Sequence, residues 1–245
     1  MLEYLLFDLD ETIYPRGSGL MQAISERISL YMIERMGMDP EVVPELRRAY
    51  WEKYGTTSRG LQIRHGLDVP EYMHYVHDLP LENYLEPNRA LDSALASLPQ
   101  TKVVFTNATD EHARAVLKAV GVAHHFGPVY DAFFARNEGK PAPGVYRRLL
   151  DDLGAPGNVC LMVEDSARNL RPAKLLGMTT VLIDPPAGAD TEGVDHVIEK
   201  IADIAQVVRR VDESSSDAGH IAPVPRVDAD GVPLVDKQGD GDLEP

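Results

Sequence analysis

Five short apolar runs punctuate the chain: "EYLLFDL", "KVVFTN", "YDAFFA", "NVCLMVE" and "TTVLID". Each carries β-branched or aromatic residues and is too short for a buried helix, so each predicts a strand. Elsewhere the apolar positions change to a helical period, in "TDEHARAVLKAVG", "APGVYRRLLDDLG" and "SARNLRPAKLLG", and each of these segments stops at glycine. Continuous apolar strands separated by helices predict a parallel sheet covered on both faces, a doubly wound α/β core. Ligand sites in such folds lie at the carboxyl ends of the strands.

One long gap breaks the alternation. Between Pro15 and Pro87 no run reads as a strand, whereas a parallel crossover needs only about a dozen residues. Helical spacing fills the gap. "SGLMQAISERISLYMIERMG" puts Leu20, Ile24, Ile28 and Met32 on one stripe and stops at Gly37. Asp39 as cap and Pro40 in the first turn open a second helix, "PEVVPELRRAYWEKYG", and shorter helices are expected around "SRGLQIRHG" and "PEYMHYVHD". The pattern therefore divides the chain into a core of residues 1–14 and 88–210 and an inserted α-helical cap of residues 15–87. Residues 211–245, rich in Asp, Ser, Gly and Pro without an apolar period, are expected to form a disordered acidic tail. Because the insertion follows directly on the first strand, it is expected to lie over that strand's end as a lid.

Charge and composition narrow the partners. The net charge is −15, with nine acids against two bases from residue 211 onward, and it argues against a nucleic-acid polymer or an anionic membrane surface. The single cysteine, Cys160, sits in an apolar run and reads as a small core residue, which excludes a disulfide framework and fits a reducing compartment. No apolar segment approaches a membrane span and no secretory-type leader is visible, so a cytoplasmic protein is expected. Nothing in the pattern indicates an oligomeric state.

The strand ends carry the candidate chemistry. The first releases Asp8 and Asp10, the second Thr106 and Asn107, and the fourth Glu164 and Asp165, while "EGKPAPGVYRRLL" puts Lys140 in the loop before a helix. Two carboxylates about 4 Å apart repel by roughly 4 kcal/mol at an effective dielectric near 20, so such a convergence needs compensation. A hard divalent cation with oxygen ligands, Mg²⁺, and the Lys140 ammonium would supply it. Thr106 and Asn107 would add hydrogen-bond donors for an oxyanion. A carboxylate in that setting can attack phosphorus, and a second one two residues along, Asp10, can protonate the leaving alkoxide and then activate water.

"DLDET", "TN", the Lys-Pro pair and "EDSARN" resemble, in order, the four motifs of the haloacid dehalogenase superfamily over residues 1 to about 205. The resemblance implies a HAD-like Rossmannoid core with a helical cap. It implies Asp8 as nucleophile, Asp10 as acid/base with its backbone carbonyl on Mg²⁺, and Thr106 and Asn107 as phosphate contacts. Lys140 becomes the charge clamp, and Glu164 and Asp165 join Asp8 and Asp10 as metal ligands. "DLDETIYP", taken with Tyr54, Gly55, Arg59, Gly60 and Leu61, looks like the pyrimidine 5'-nucleotidase subgroup, which implies a nucleoside monophosphate substrate and roles for Tyr54 and Arg59 in reading it. Glu11 and Asn169 stand where many members of the superfamily carry Gly or a further Asp.

Other readings attach to the same residues. Asp and Asn follow strands in many proteins because they favour turns, and only the joint order of the motifs turns that reading around. Tyr50, Trp51 and Tyr54 read more readily as cap core than as a base-stacking platform. Glu11 reads as a surface or supporting group, and His65, His74, His77, His124 and His125 show no metal spacing and receive no role. A sugar-phosphate phosphatase or a phosphomutase fits the same core with a different cap specificity. A phosphorylation-regulated binding module of the receiver type fits poorly, since such domains lack a helical insertion after the first strand. A dinucleotide-binding protein is disfavoured by the absence of G-x-G-x-x-G after that strand.

Overall fold

The computed structural model describes residues 1–218. Six strands, β1 (Tyr4–Phe7), β2 (Thr101–Phe105), β3 (Phe126–Tyr130), β4 (Cys160–Glu164), β5 (Thr179–Ile183) and β6 (His196–Ile198), form one parallel sheet in the order β3-β2-β1-β4-β5-β6. The chain winds outward from β1 through β2 to β3, then returns to lay β4 on the other side of β1. The β1/β4 boundary is thus the switch point, where a crevice opens beyond the strand ends.

Strand periodicity decides which helices cover which face. Leu5, Phe7, Val104, Leu161 and Val163 point to one side, where α5 (Arg89–Ala96), α6 (Asp110–Val120) and α9 (Ile204–Ala218) supply Leu91, Leu95, Val116, Leu117 and Ile204. Leu6, Val103, Phe105 and Met162 point to the other, against Val145, Tyr146 and Leu149 of α7 (Pro143–Leu153) and Leu170 and Ala173 of α8 (Ala167–Leu175). Both faces are apolar, which is why these strands show no polar alternation. Cys160 is buried among them.

Four helices fill the insertion: α1 (Leu20–Glu34), α2 (Val43–Tyr54), α3 (Thr57–His65) and α4 (Val69–His77). They enclose a core of their own, built on Tyr31, Met32, Val43, Tyr50, Leu61 and Tyr72, which also takes in Ala132 from the sheet domain. The first turns of α1 are anchored differently, since Leu20 and Ile24 belong to the core of the sheet domain. Side-chain caps start α3 and α4, where Thr56 accepts from Arg59 N and Asp68 from Glu71 N. The glycine at position 60 lets α3 lie directly on α2, because a Cβ there would sit 2.3 Å from Tyr50 Cγ.

Four local expectations need correction. "YDAFFA" is not a strand: β3 ends at Tyr130, and Asp131 turns the chain by accepting from Phe133 N and Phe134 N at 3.0 and 2.9 Å. That side-chain bonding overrides the apolar composition. The second cap helix begins at Val43 rather than at Asp39 and Pro40, because the Asp39 carboxylate accepts from Glu41 N in a turn before it. Helix α5 and strand β6 add to the elements predicted. The tail does not begin at 211, since α9 continues to Ala218. Val211 packs against the core and Asp212 accepts from Leu2 N at 2.6 Å and from Gln100 Nε2 at 2.9 Å. The expected disorder of residues 219–245 falls outside the described residues. No helix among those described is long and apolar enough to cross a membrane.

Candidate active site

Asp8 is the first residue beyond β1, with its N–H donated to Val163 O on β4 at 3.0 Å, so it stands at the switch point. A tight turn follows, in which Ile13 N returns to Leu9 O at 2.9 Å and Glu11 adopts φ 57°. Glu164 closes β4, Thr106 and Asn107 follow β2, and Lys140 lies in the loop before α7.

The Lys140 ammonium joins two strand ends. It lies 2.5 Å from Asp8 Oδ1 and 3.0 Å from Glu164 Oε1, and its side chain is only 1% exposed. Thr12 Oγ1 donates to the other Asp8 oxygen at 3.2 Å. Both oxygens of Glu164 are further engaged, by Asn169 Nδ2 at 2.5 Å and by Ser166 N at 2.6 Å. Asn169 thus orients Glu164. At the rim, Arg16 spans Glu11 Oε2 at 2.7 Å and Asp165 Oδ2 at 2.6 Å, so Glu11 belongs to the supporting frame.

The two predicted anion donors differ in availability. Thr106 Oγ1 accepts from Ala108 N at 3.0 Å, which leaves its proton free to donate. Asn107 is largely committed to Lys140, donating Nδ2–H to Lys140 O at 3.1 Å and accepting Lys140 N at 2.7 Å. Its principal work is to hold the lysine backbone in place. A glycine is required beside it: position 139 has φ 65°, and a Cβ there would lie 2.7 Å from Asn107 Oδ1.

Asp10 has its own surroundings. Tyr14 OH donates to its Oδ1 at 2.6 Å, and His112 Nε2 lies 3.6 Å away, beyond hydrogen-bond distance. Burial opposes ionisation of Asp10, but His112 and Tyr14 outweigh it and hold its carboxyl below the usual range. His112 also stacks on His77 of the cap, with ring centroids 4.1 Å apart. Burial, and then His112, push the His77 imidazole down to about 3. The sequence offers no local signal for this chain of contacts, because His77, His112 and Asp10 come from three separate elements.

The remaining carboxylates show that positive charge is in deficit. Burial pushes Asp8 up to about 7 against the pull of Lys140, with Glu164 and Asp10 adding to the rise. Burial and Asp8 push Asp165 up to about 6 despite Arg16. Burial works against the charge on Lys140, but Asp8 and Glu164 prevail and raise its pKa. Carboxylate oxygens of Asp8, Glu164 and Asp165 lie within 4.8 Å of one another, a hard, all-oxygen set that suits Mg²⁺ better than softer-ligand metals. Asp8 and Asp165 have the freer oxygens, and Glu164 supports them through Lys140.

A stability measurement tests this fit. With the carboxyls of Asp8 and Asp165 raised from 3.8 to about 7 and about 6, these two groups bind more protons in the folded metal-free protein than in the unfolded chain across this window, while His77, pushed down to about 3, binds fewer. The contribution of the two carboxyls to stability therefore falls as pH rises from about 4 to about 7, and His77 offsets part of that fall. Millimolar Mg²⁺ should raise the melting temperature clearly at about pH 7.5 and little at about pH 5. Equal shifts at both values would count against a metal on these carboxylates.

Above the strand ends lies a cavity of about 580 Å³ shared by core and cap. Asp8, Asp10, Thr106, Lys140 and Asp165 line its floor, and Ile24, Arg47, Trp51, Ser58, Tyr72 and Met73 are among the cap residues in its wall. Tyr54 and Arg59, expected to read the substrate, do not line it. Tyr54, the last residue of α2, packs edge-on against Tyr50, and Arg59 Nη1 on α3 donates to Gln62 Oε1 at 2.7 Å. Tyr50 is cap core, as expected. His124 and His125 are not without metal spacing, since both Nε2 atoms approach Asp92 Oδ1, at 3.1 and 2.8 Å, beside the start of β3 and far from the strand ends that carry Asp8.

A family model described as haloacid dehalogenase-like hydrolase matches residues 2–177. Phosphate metabolism protein 8 of Saccharomyces cerevisiae is 26% identical over 196 residues, 72% of this chain, which spans 60% of that protein's length. The phosphoglycolate phosphatase of Rhodospirillum rubrum is 35% identical over 96 residues, 38% of this chain and 39% of its own. Among solved structures, the HAD-hydrolase YfnB of Bacillus subtilis, bound to magnesium, superposes with a TM-score of 0.55 at 16% identity, covering 84% of this chain and 98% of its own.

Proposed function

The chain belongs to the haloacid dehalogenase-like hydrolases, and from that membership we propose that it is a Mg²⁺-dependent phosphomonoester hydrolase with a nucleoside 5'-monophosphate, preferably a pyrimidine one, as substrate. The observation that carries this reading is the buried Asp8–Lys140–Glu164 bridge opening on the cavity floor beside Thr106. A carboxylate held there by an ammonium and a hydroxyl is fixed in orientation before substrate arrives.

In the proposed reaction Asp8 attacks phosphorus, the bond to the leaving oxygen breaks, and Asp10 delivers the proton that makes the leaving group an alcohol. Water then attacks the aspartyl phosphate as Asp10 takes its proton, and phosphate and free Asp8 result. The depressed Asp10 carboxyl suits that second step. An incoming phosphate adds negative charge beside Asp10 and favours the protonated form needed for the first. Lys140 and the Thr106 hydroxyl meet the charge on the transferred group. Mg²⁺, held by Asp8, Asp165 and the Asp10 carbonyl with Glu164 in support, would supply the remaining positive charge.

The apolar and aromatic cap wall supports a base and ribose as leaving group. The likeness to a phosphoglycolate phosphatase favours the alternative, a small sugar- or acid-phosphate phosphatase. Phosphate release from uridine and cytidine 5'-monophosphates, several sugar phosphates and phosphoglycolate, each with Mg²⁺, decides between them. Nucleotides should lead; equal rates throughout would remove the nucleotide preference. A stable phospho-protein without turnover would favour the binding-module reading instead.

A further inference from the structure

We propose that Arg47 recognises the leaving group, by gripping a coplanar pair of acceptor atoms on it; this rests on reading the cavity as a phosphomonoesterase site. Arg47 lies on α2 one turn before Trp51, and both residues stand in the cavity wall.

Donor accounting points to this role. A guanidinium has five N–H groups in a fixed plane. Arg47 Nη1 gives one to Ser25 O at 2.8 Å and one to Ser29 Oγ at 2.7 Å, and Nη2 gives one to Ser25 Oγ at 2.8 Å. What remains is the Nε–H and one N–H of Nη2. Nε is buried and has no hydrogen-bond partner. Nε–H and the Nη2–H beside it form one of the two edges with which arginine makes bidentate contacts.

Charge accounting agrees. Arg16, Arg27, Arg114 and Arg171 each pair with a carboxylate, whereas no ion pair involves Arg47 among the described residues. Its three partners are neutral serine groups, which orient the guanidinium without neutralising it. A partly buried cation without counter-charge, carrying a buried donor without acceptor, is unfavourable unless a ligand supplies what is missing.

The ligand chemistry follows from the fork. Two acceptors side by side in one plane are offered by a carboxylate or, among pyrimidine bases, by the O2/N3 edge of cytosine. Uracil carries a proton on N3 and offers no such pair. Within the nucleotide reading, cytidine 5'-monophosphate is therefore preferred over the uridine ester. A carboxylate on a non-nucleotide leaving group would serve the same fork and also meet its charge.

The test compares kcat/KM for cytidine and uridine 5'-monophosphates, 4-carboxyphenyl phosphate and phenyl phosphate in the wild type, Arg47→Lys and Arg47→Ala. Arg47→Lys keeps the charge and loses the fork, and thermal melts check that both variants fold. The substrate with the acceptor pair should lose about ten- to a hundred-fold in both variants, at least about ten-fold more than phenyl phosphate loses. A loss confined to the cytidine ester identifies a base edge as ligand, and one confined to the carboxyphenyl ester identifies a carboxylate. A proportional loss on all four substrates, or unchanged selectivity in Arg47→Lys, overturns the role of Arg47 while leaving the phosphomonoesterase reading intact. If the wild type hydrolyses none of the four, both fall together.

Discussion

Asp8→Asn should abolish turnover while leaving the fold intact. The carboxamide keeps the size of the side chain, its one oxygen can still accept from Lys140, and its NH2 can donate to the Thr12 hydroxyl that formerly donated to Asp8, but it cannot form the proposed phosphoenzyme. Loss of a covalent nucleophile costs on the order of 10⁴-fold or more in kcat. The same substitution removes one charge from a site where burial already pushes the Asp8 carboxyl to about 7. The metal-free variant should therefore melt higher than the wild type near pH 7.5 and should gain less from Mg²⁺. Phosphate release and thermal melts with and without chelator check both halves. Substantial residual turnover would sink the aspartyl-phosphate mechanism.

Lys140→Met should be damaging in a different way. It leaves Asp8 and Glu164 buried side by side without the ammonium that bridges them at 2.5 and 3.0 Å. Breaking a buried charge pair by removing one partner typically costs about 3–5 kcal/mol. The carboxyls of both partners, already raised in the wild type, would rise further. The cost is then small in acid, where they hold protons, and grows as pH rises toward and beyond neutrality. Removing a group that meets transition-state charge should also reduce kcat by about 10²- to 10³-fold. Combining Lys140→Met with Asp8→Asn should recover part of the stability and none of the activity, a non-additivity expected of side chains in contact. A melting temperature that drops equally at about pH 5 and pH 8 would show that Lys140 contributes packing rather than charge.

Much of the site is legible before any folding is considered. Apolar runs ending abruptly in Asp8, Thr106 and Glu164 identify strand ends, and strand ends of a doubly wound sheet converge, so convergence of these motifs follows from topology. Lys140 is the one lysine in those motifs. Other features resist such reading. Asn107 looks like a free donor but is committed to the Lys140 backbone, 33 residues away. Arg16 reaches Asp165 across 149 residues, and His77 meets His112 only because the cap folds back onto α6. Arg59 sits in the segment that looks like a substrate reader, yet α3 turns it toward Gln62, while Arg47 lies on the cavity wall.

The difference is one of range. Strand and helix patterns, caps and the turn that carries Asp8 to Ile13 depend on residues a few positions apart, and the sequence by itself determined them, together with the kinds of groups at the strand ends. Which group each side chain finally meets depends on how the cap lies on the sheet and which donors are already engaged when the chain has packed. Only the tertiary structure decided that Asn107 holds Lys140, that His77 reaches the Asp10 neighbourhood, and that Arg47 is the cavity-wall guanidinium with no carboxylate partner among the described residues.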